Sequence, residues 1–387
     1  MDVPGLEQVL SDEGWPYAST LPVSGKDPGR FHALFGRDAL IASLQVLPAR
    51  PDVARATLRA LARCQGRADD PVTLEEPGKI GHEFRAEPPG SFVAAGWPLP
   101  GPFAYYGSAD ATSWFLVLLH SLGDIGLVRE LEVEGRRVAG WLAHALDVGG
   151  GLVRHAPGAG SGDLAQQGWR DARDPTSATG TGVLRRDGVP PSPPLADAET
   201  QAVTVAALRA LAALTGDRSW DRRRAELVEA VTELFLPDVL MIDGAGDPIR
   251  SAGSQLGWLL WADAIAPAHV PDVAARLTEP DVLTPYGLRT LSSQEPNFRP
   301  TAYHRGAIWP FDSWLGWGGL RAAGRLDVAE QLRRGVLAAV GQLGGFPEVF
   351  AVDGSGRLGP IEIGNHHQAW TVGACWALTN SWDGRAW

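Results

Sequence analysis

The chain has 387 residues, of which 44% are hydrophobic and 20% charged, a balance typical of a soluble globular protein with a large core. The formal net charge of −11 disfavours nucleic acid and anionic membranes as partners, because both attract clusters of Lys and Arg. With Cys64 and Cys375 as the only cysteines, neither a disulfide framework nor a thiolate metal cluster is expected. The first residues lack a basic segment followed by an apolar stretch, and no apolar run approaches the ~18–20 residues of a membrane span, so a cytoplasmic protein is expected.

Helical patterns come in pairs along the chain. Apolar residues at helical spacing predict the paired helices 38–47 with 52–64, 108–122 with 127–146, 197–214 with 218–236, 254–264 with 270–277, and 305–323 with 326–343. A further helix is predicted over residues 366–378, with residues 4–10 as the candidate for its partner. The best short strand pattern covers residues 239–242.

Long segments rich in Gly, Pro and Trp separate the helix pairs, at residues 66–107, 149–195, 278–304 and 344–365. Loops of this length in a compact domain are usually functional or disordered, and these four carry most of the unusual aromatic and charged residues, which favours function. Helical hairpins alternating with long loops predict an all-α fold, an (α/α)6 barrel built as a toroid of six hairpins, with the loops gathered at one mouth. No shift in composition marks a boundary, so one domain is expected to cover residues 1–387.

Two carboxylates lie beside large aromatic residues and outside the helical patterns. Asp171 ends the segment QQGWRD at 166–171, and Glu348 lies within FPEVF at 346–350. Two carboxyl groups that face each other across a sugar can split a glycosidic bond, and a Trp ring offers a flat face to the apolar side of the sugar. Burial against Trp169 would favour a protonated Asp171, whereas a guanidinium of Arg170 that pointed inward would favour the ionised form.

Six segments, in chain order, resemble the catalytic domain of glycogen-debranching amylo-α-1,6-glucosidases and their bacterial relatives. These enzymes belong to the wider set of (α/α)6-barrel glycosidases that includes glucoamylases and mannosylglycerate or glucosylglycerate hydrolases. The segments are LFGRDALI at 34–41, YYGSADAT at 105–112, QGWRD at 167–171, YHRGAIWP at 303–310, PEVF at 347–350 and QAW at 368–370.

The resemblance implies an inverting, exo-acting glycoside hydrolase, an α-glucosidase that acts on a small glucoside or oligosaccharide. It implies Asp171 as the general acid and Glu348 as the general base, with Arg37 and Asp38 holding the non-reducing-end sugar. Other residues implied in substrate binding are Asp110, Trp169, Arg170, His304, Arg305, Trp309, Tyr106, Glu199 and Gln201. The partner implied is a carbohydrate, and neither a metal nor a cofactor is expected.

The chain departs from these enzymes in three places. Debranching enzymes of this type usually carry an N-terminal β-domain, whereas the barrel signals here begin by residue 34, which favours a small substrate. The segment ARDP at 172–175 stands where relatives usually have small residues, which predicts an altered aglycone side. The segment NHH at 365–367 also differs from the family pattern.

Two alternatives stay open at this point. A sugar isomerase or epimerase of the same barrel would use His82, His304 or His366 as a proton shuttle. A non-catalytic sugar-binding relative would bind its ligand without turnover, and the presence of both Asp171 and Glu348 argues against it. The sequence does not indicate the oligomeric state.

Overall fold

The computed structural model describes residues 2–20, 31–98, 101–159 and 162–387. The predicted loops 66–107 and 149–195 therefore each contain a pair of residues outside the described ones. The α-helices of the described residues are α1 (Gly36–Val46), α2 (Pro51–Arg63), α3 (Gly90–Ala94), α4 (Ala111–Leu122), α5 (Ile125–Glu130), α6 (Glu132–Val148), α7 (Ala198–Thr215), α8 (Ser219–Phe235), α9 (Gln255–Trp261), α10 (Val270–Leu277), α11 (Pro310–Ala322), α12 (Leu326–Leu343) and α13 (Ala369–Thr379).

Six of these helices form a closed inner ring. They follow one another around it in the order α1, α4, α7, α9, α11 and α13, and α13 packs against α1. The inner helices are buried nearly all round, whereas the outer helices bury mainly one face, as expected when an outer layer packs on an inner one. The outer helices α2, α6, α8, α10 and α12 cover the ring. This arrangement is the predicted (α/α)6 barrel.

The sixth outer position and some helix boundaries differ from the prediction. Residues 4–10 contain a 3-10 helix, Leu6–Val9, which packs against α13 in place of a full α-helix. Helix α11 begins at Pro310 rather than at 305, because proline fits the first turn of a helix but not its interior. The helix predicted over 127–146 is interrupted at Leu131, which separates α5 from α6. The single domain over residues 1–387 stays a prediction.

Short antiparallel strands lie in the loops between the helices. The strand predicted over residues 239–242 is confirmed. The strands are β1 (Leu34–Phe35), β2 (Glu83–Arg85), β3 (Phe103–Tyr105), β4 (Ala196–Asp197), β5 (Val239–Ile242), β6 (Pro248–Arg250), β7 (Leu283–Thr284), β8 (Gly287–Leu288), β9 (Phe350–Val352) and β10 (Leu358–Pro360). They form the sheets β1-β2-β3, β4-β5-β6, β7-β8 and β9-β10, and β1 and β4 lead directly into the inner helices α1 and α7.

The inner helices begin at one mouth of the ring. Arg37, in the first turn of α1, pairs with Asp110, the residue that precedes α4. Arg170, from the loop before α7, bonds to Glu199 in the first turn of α7 and to Ser254 just before α9. Because the starts of these helices share hydrogen bonds, the loops that precede them gather at the same mouth. Among the described residues, none of the helices has the length and apolar character that crossing a membrane requires.

Candidate active site

A cavity of about 350 Å³ opens among the loops at this mouth. Asp171 is part of its wall, together with His82 and Glu83 from the β2 side and Arg173 and Asp174 from the segment that follows Asp171. Aromatic and aliphatic groups also line it, including Phe31, Phe35, Phe92, Tyr303 and Ile363, together with several Ser and Thr residues. The site is therefore a small hollow with one candidate acid in its wall.

Arg37 lies between two carboxylates. Its Nε donates to both carboxylate oxygens of Asp110, at 3.0 and 2.7 Å, and its Nη1 donates to Oδ2 of Asp171 at 3.0 Å. Its Nη2 donates to the carbonyl oxygen of Gly168 at 2.9 Å. Burial alone would lower the pKa of Arg37, but Asp110 and Asp171 outweigh it and raise this pKa, so the guanidinium stays charged. In the structure, the Arg37 donors bond to Asp110, Asp171 and Gly168, and the contact with a sugar that the resemblance implied for Arg37 stays a prediction.

Glu348 is buried in the loop that follows α12, far from Asp171 along the chain. Its Oε2 accepts hydrogen bonds from the backbone N–H of Asn365 at 2.9 Å and from Nδ2 of Asn365 at 3.0 Å. Only 2% of Glu348 is exposed, and it is not among the described residues that line the cavity. The segment that holds Glu348 reaches the cavity through Ile363, which lies two residues before Asn365.

Asp38 lies between the groups that surround Asp171 and those that surround Glu348. It lies within electrostatic range of both Asp171 and Glu348, and its Oδ1 accepts from Nε2 of Gln368 at 3.3 Å. The Oε1 of Gln368 in turn accepts from Nδ2 of Asn365 at 3.0 Å. Burial raises the pKa of Asp38 to about 8, against the opposing effect of the neighbouring Arg37, so this group is largely protonated at neutral pH.

Trp169 and Arg170 point into the barrel rather than toward Asp171. The Trp169 Nε1 donates to Oε1 of Glu199 at 2.9 Å, and its ring stacks on Trp258 with the centroids 6.1 Å apart. The Arg170 guanidinium bonds to the same Glu199 oxygen at 2.8 Å and, through Nη1 and Nη2, to a loop carbonyl and to the Ser254 hydroxyl. The sequence analysis considered Trp169 and Arg170 as opposing influences on the charge of Asp171. In the structure, Arg170 bonds to Glu199 instead, and Arg37 is the cation that bonds to Asp171.

The residues predicted from segment 303–310 support the loops of the mouth. His304 is buried and accepts from the N–H of Gly182 at 2.9 Å, and its ring stacks on Trp309. Burial, followed by the charge of Arg170, lowers the pKa of His304 well below its usual value. Arg305 donates to carbonyl oxygens of residues 175 and 177, which places it behind the loop that lines the cavity.

Of the predicted site residues that the structure describes, Asp171 alone lines the cavity, and two others lie among the supporting loops. Tyr106 donates its hydroxyl to the carbonyl oxygen of Cys64, at the end of the outer helix α2, at 2.8 Å. Gln201 is fully buried and exchanges side-chain hydrogen bonds with the backbone of Val153. Neither lines the cavity within the described part of the chain. Both therefore brace the loops, and a direct contact with substrate stays a prediction.

Four functional candidates lie outside the site predicted for a hydrolase, although His82 was considered as a proton shuttle for an isomerase. His82, Glu83 and Arg173 line the cavity, and Asn365 holds Glu348. Burial, followed by the charges of Arg37 and Arg85, lowers the pKa of His82 to about 3, so its ring is neutral. The signal that could have identified Arg173 and Asn365 was present, because both lie in the segments where the sequence departs from the family pattern. Within the described residues, no three His, Cys, Asp or Glu side chains are placed to share a metal ion.

The closed ring of helix pairs is the fold of (α/α)6-barrel glycoside hydrolases, and comparison with known proteins agrees. The sequence profile of the mannosylglycerate hydrolase MGH1-like glycoside hydrolase domain matches residues 137–371, more than half of the chain. The chain belongs to this family of glycoside hydrolases. No curated protein matches it in a sequence search.

Solved structures show the same fold at low sequence identity. The GH63 mannosylglycerate hydrolase from Thermus thermophilus, in complex with Tris and D-glycerate, has a TM-score of 0.69 at 18% identity, with 98% of each chain covered. The same enzyme in complex with glucose has a TM-score of 0.66 at 18% identity, again over 98% of each chain. A rhamnosidase from Klebsiella oxytoca with rhamnose bound has a TM-score of 0.58 at 17% identity, covering 92% of this chain and 59% of the rhamnosidase.

Proposed function

We propose that this chain is an inverting, exo-acting hydrolase of small α-glycosides, with Asp171 as the general acid and Glu348 as the general base. The observation that carries the proposal is the connection between the two acids across one mouth of the barrel. Arg37 bonds to Asp171, its neighbour Asp38 accepts from Gln368, and Gln368 is linked through Asn365 to Glu348.

In the proposed reaction, Asp171 gives its proton to the glycosidic oxygen while the bond from the anomeric carbon to that oxygen breaks. A water molecule attacks the anomeric carbon from the opposite face, and Glu348 takes the proton that this water loses. One proton is thus supplied and one is taken up, and an α-glycoside gives a β-sugar and a free aglycone. An inverting pair needs its carboxyl groups about 6.5–9.5 Å apart, so that the water fits between.

The surroundings of Asp171 are compatible with the role of an acid. A guanidinium beside a carboxyl favours its ionised form, which would oppose proton donation. Here Asp110 also takes two hydrogen bonds from Arg37, so the guanidinium is shared between two carboxyl groups. Arg37 thereby orients the carboxyl of Asp171 in the cavity wall.

We propose a sugar carrying a small, anionic aglycone, of the glycerate type, as the substrate. Arg173 places a positive charge in the cavity wall near Asp171. Its guanidinium lies over the ring of Phe92, with Cζ 4.2 Å from the ring centroid. The Thermus thermophilus enzyme with the same fold is a mannosylglycerate hydrolase and was solved with D-glycerate and with glucose. An α-glucoside is our first choice of sugar, and an α-mannoside is the second candidate because of that relative.

Replacing either acid tests the proposal. Asp171→Asn and Glu348→Gln should each lower kcat by about 10²–10⁴, because general acid-base catalysis contributes that much. The exposed residues Asp187 and Glu362 provide matched controls, Asp187→Asn and Glu362→Gln, which should leave kcat unchanged. The substrates are glucosylglycerate, mannosylglycerate, isomaltose, maltose, trehalose and p-nitrophenyl glycosides. Full activity of either acid variant would refute the assignment.

The stereochemistry of the first product tests inversion separately. Proton NMR of the fresh reaction should show the β-anomer first, before mutarotation. An α-anomer would contradict the inverting mechanism. The isomerase alternative predicts conversion of a free sugar instead, and it gains no support from His82 and His304, whose lowered pKa values lie far from those of a useful proton shuttle.

A further inference from the structure

The loop that carries Glu348 is paired with the segment before α13. The N–H of Glu348 donates to the carbonyl oxygen of Asn365 at 2.8 Å, and the N–H of Phe346 donates to that of His366 at 3.1 Å. The N–H of Gln368 donates back to the carbonyl oxygen of Phe346 at 2.9 Å. These backbone hydrogen bonds form a ladder that holds residues 346–348 beside residues 365–368.

The side chain of Asn365 adds an orientation that the ladder does not supply. Both its Nδ2 and its backbone N–H donate to the same carboxylate oxygen of Glu348, Oε2, at 3.0 and 2.9 Å. Two donors on Oε2 restrict the rotation of the carboxylate and keep Oε1 on the side facing away from Asn365. Hydrogen bonds from N–H groups also stabilise the negative charge that a general base must carry.

The side-chain amide of Gln368 fixes the direction of the Asn365 amide. The other hydrogen of Asn365 Nδ2 is directed to Oε1 of Gln368 at 3.0 Å, and Nε2 of Gln368 donates to Oδ1 of Asp38 at 3.3 Å. Gln368 accepts from Asn365 at one end of its amide and donates to Asp38 at the other, and Nδ2 of Asn365 serves two acceptors, so both amides have one preferred orientation. Gln368 immediately precedes α13 and Asp38 lies in the first turn of α1, so this relay crosses the contact between these two inner helices.

We propose that Asn365 is a positioning residue for Glu348, and that Gln368, held by Asp38, sets the direction of the Asn365 amide. This inference rests on the proposed function, because it takes Glu348 as the base. The titratable and charged groups around the relay are Asp38 and Arg37 from α1 and Asp171 from the cavity wall, with His366 and His367 on the paired segment.

A glycosyl fluoride isolates the step that Glu348 performs, since fluoride departs without protonation by an acid. The probe is the α-fluoride of the sugar that the wild-type enzyme releases. Asp171→Asn should retain activity on this probe, whereas Glu348→Gln should lose it. If Glu348→Gln stays active on the fluoride, the proposed function fails whatever Asn365 does, so the two failures are distinguishable.

Asn365→Ala should lower kcat on both the fluoride and the natural glycoside by roughly 10- to 100-fold, the effect of losing one bond to a charged group and a fixed geometry. KM should change little, and the acidic limb of the kcat–pH profile should move to higher pH because the Glu348 anion has lost a donor. Asn365→Asp should lose more than Asn365→Ala, since it adds a negative charge beside Glu348. A role in packing alone predicts the reverse order, because Asp keeps the shape of Asn.

Asn297 provides the matched control, because its Nδ2 donates to the carbonyl oxygen of Arg185 at 2.7 Å, outside this relay. Asn297→Ala should leave kcat and the pH profile unchanged. Gln368→Met should reproduce the Asn365→Ala effect in weaker form, and it tests the relay even if Asn365→Ala does not fold. An Asn365→Ala enzyme with kcat within about twofold of wild type and an unmoved acidic limb would overturn the proposal.

Discussion

Asp38 is a buried acid whose charge state depends on its surroundings. Burial raises its pKa to about 8, Arg37 opposes this, and Asp171, Glu348 and Asp110 add to it. An Asp in an unfolded chain titrates near pH ~4. Because the pKa of Asp38 is higher in the folded than in the unfolded chain, the folded state is most stable with respect to this group below about pH 4. The free energy of unfolding then falls as the pH rises toward about 8, because Asp38 must ionise while buried.

We predict that Asp38→Asn removes this titration. Asn keeps an oxygen that accepts from Gln368, so the variant should gain stability relative to wild type as the pH is raised from about 5 to about 8. The measurement is the free energy of unfolding in urea at several pH values for both proteins. Asp187→Asn, an exposed change, should show a constant difference. A pH-independent difference for Asp38→Asn would contradict the prediction.

The position of Arg173 leads to a prediction about binding of the aglycone. Replacing it by Met removes the positive charge beside Asp171, so KM for a glycerate glycoside should rise about 10-fold or more, the effect of losing a charge-assisted hydrogen bond. KM for a neutral p-nitrophenyl glycoside of the same sugar should change much less. Arg186→Met provides the control, since Arg186 is exposed and pairs with Glu295. Equal effects on both substrates would mean that Arg173 acts through the shape of the wall.

The sequence was enough to propose the two acids, but it did not indicate the groups that hold them. Asp171 and Glu348 stand out because each follows an aromatic or Pro-rich segment outside the helices. The partner of Asp171 is Arg37, far away in the chain, and the adjacent Arg170 turns to Glu199. Such pairings depend on how the loops meet, and no local spacing encodes them.

At the scale of helices, α9 and α11 approach each other closely through glycines. A Cβ added at Gly257 would lie 2.5 Å from Cα of Gly316, and one added at Gly319 would lie 2.4 Å from the carbonyl oxygen of Gly257. Both distances end on backbone atoms, which cannot move aside as a flexible side chain would. The contact between these two inner helices therefore requires glycine on both sides.

We predict that Gly257→Ala lowers the free energy of unfolding by about 1–3 kcal/mol, the usual cost of overpacking a core. Gly140→Ala is the matched control in the outer helix α6, because nothing lies within 4 Å of its added Cβ. It should raise stability by ~0.5–1 kcal/mol, since alanine favours the helix. Urea unfolding of both variants gives the comparison, and a Gly257→Ala protein as stable as wild type would show that the helices can separate at little cost.

The helices themselves were largely predictable, and the loops were not. The ranges predicted for α10 and α12 agree with the structure, because apolar spacing and flanking turns mark both ends. The start of α11 was misplaced because the pattern continues upstream of Pro310 in a loop that is buried for other reasons. The pairing of residues 346–348 with 365–368 leaves no periodic pattern in the sequence, because only a few backbone hydrogen bonds join the two segments.

For the whole molecule, the closed ring explains how distant segments form one site. Arg37, Asp110 and Asp171 come from the first half of the chain and Glu348 from its end, yet all lie around the starts of the inner helices. Alternating helix pairs and long loops predicted a toroid with one loop-bearing mouth. The closure of the ring between α13 and α1 then brings Gln368 to Asp38, a contact across almost the full length of the chain.

The size of the cavity leads to a prediction about the substrate. Sites for small molecules occupy roughly 300–1,000 Å³, and about 350 Å³ lies at the lower end of this range. A sugar with a short aglycone fits such a hollow, whereas the branched surface of a polymer would have to enter past the walls around Asp171 and Ile363. We therefore expect hydrolysis of glucosylglycerate or mannosylglycerate to exceed that of glycogen at least about 100-fold in kcat/KM, compared at equal concentrations of non-reducing ends. Measurement of sugar release, with Glu348→Gln as the blank, decides this, and comparable rates on glycogen would require that the walls of the cavity open.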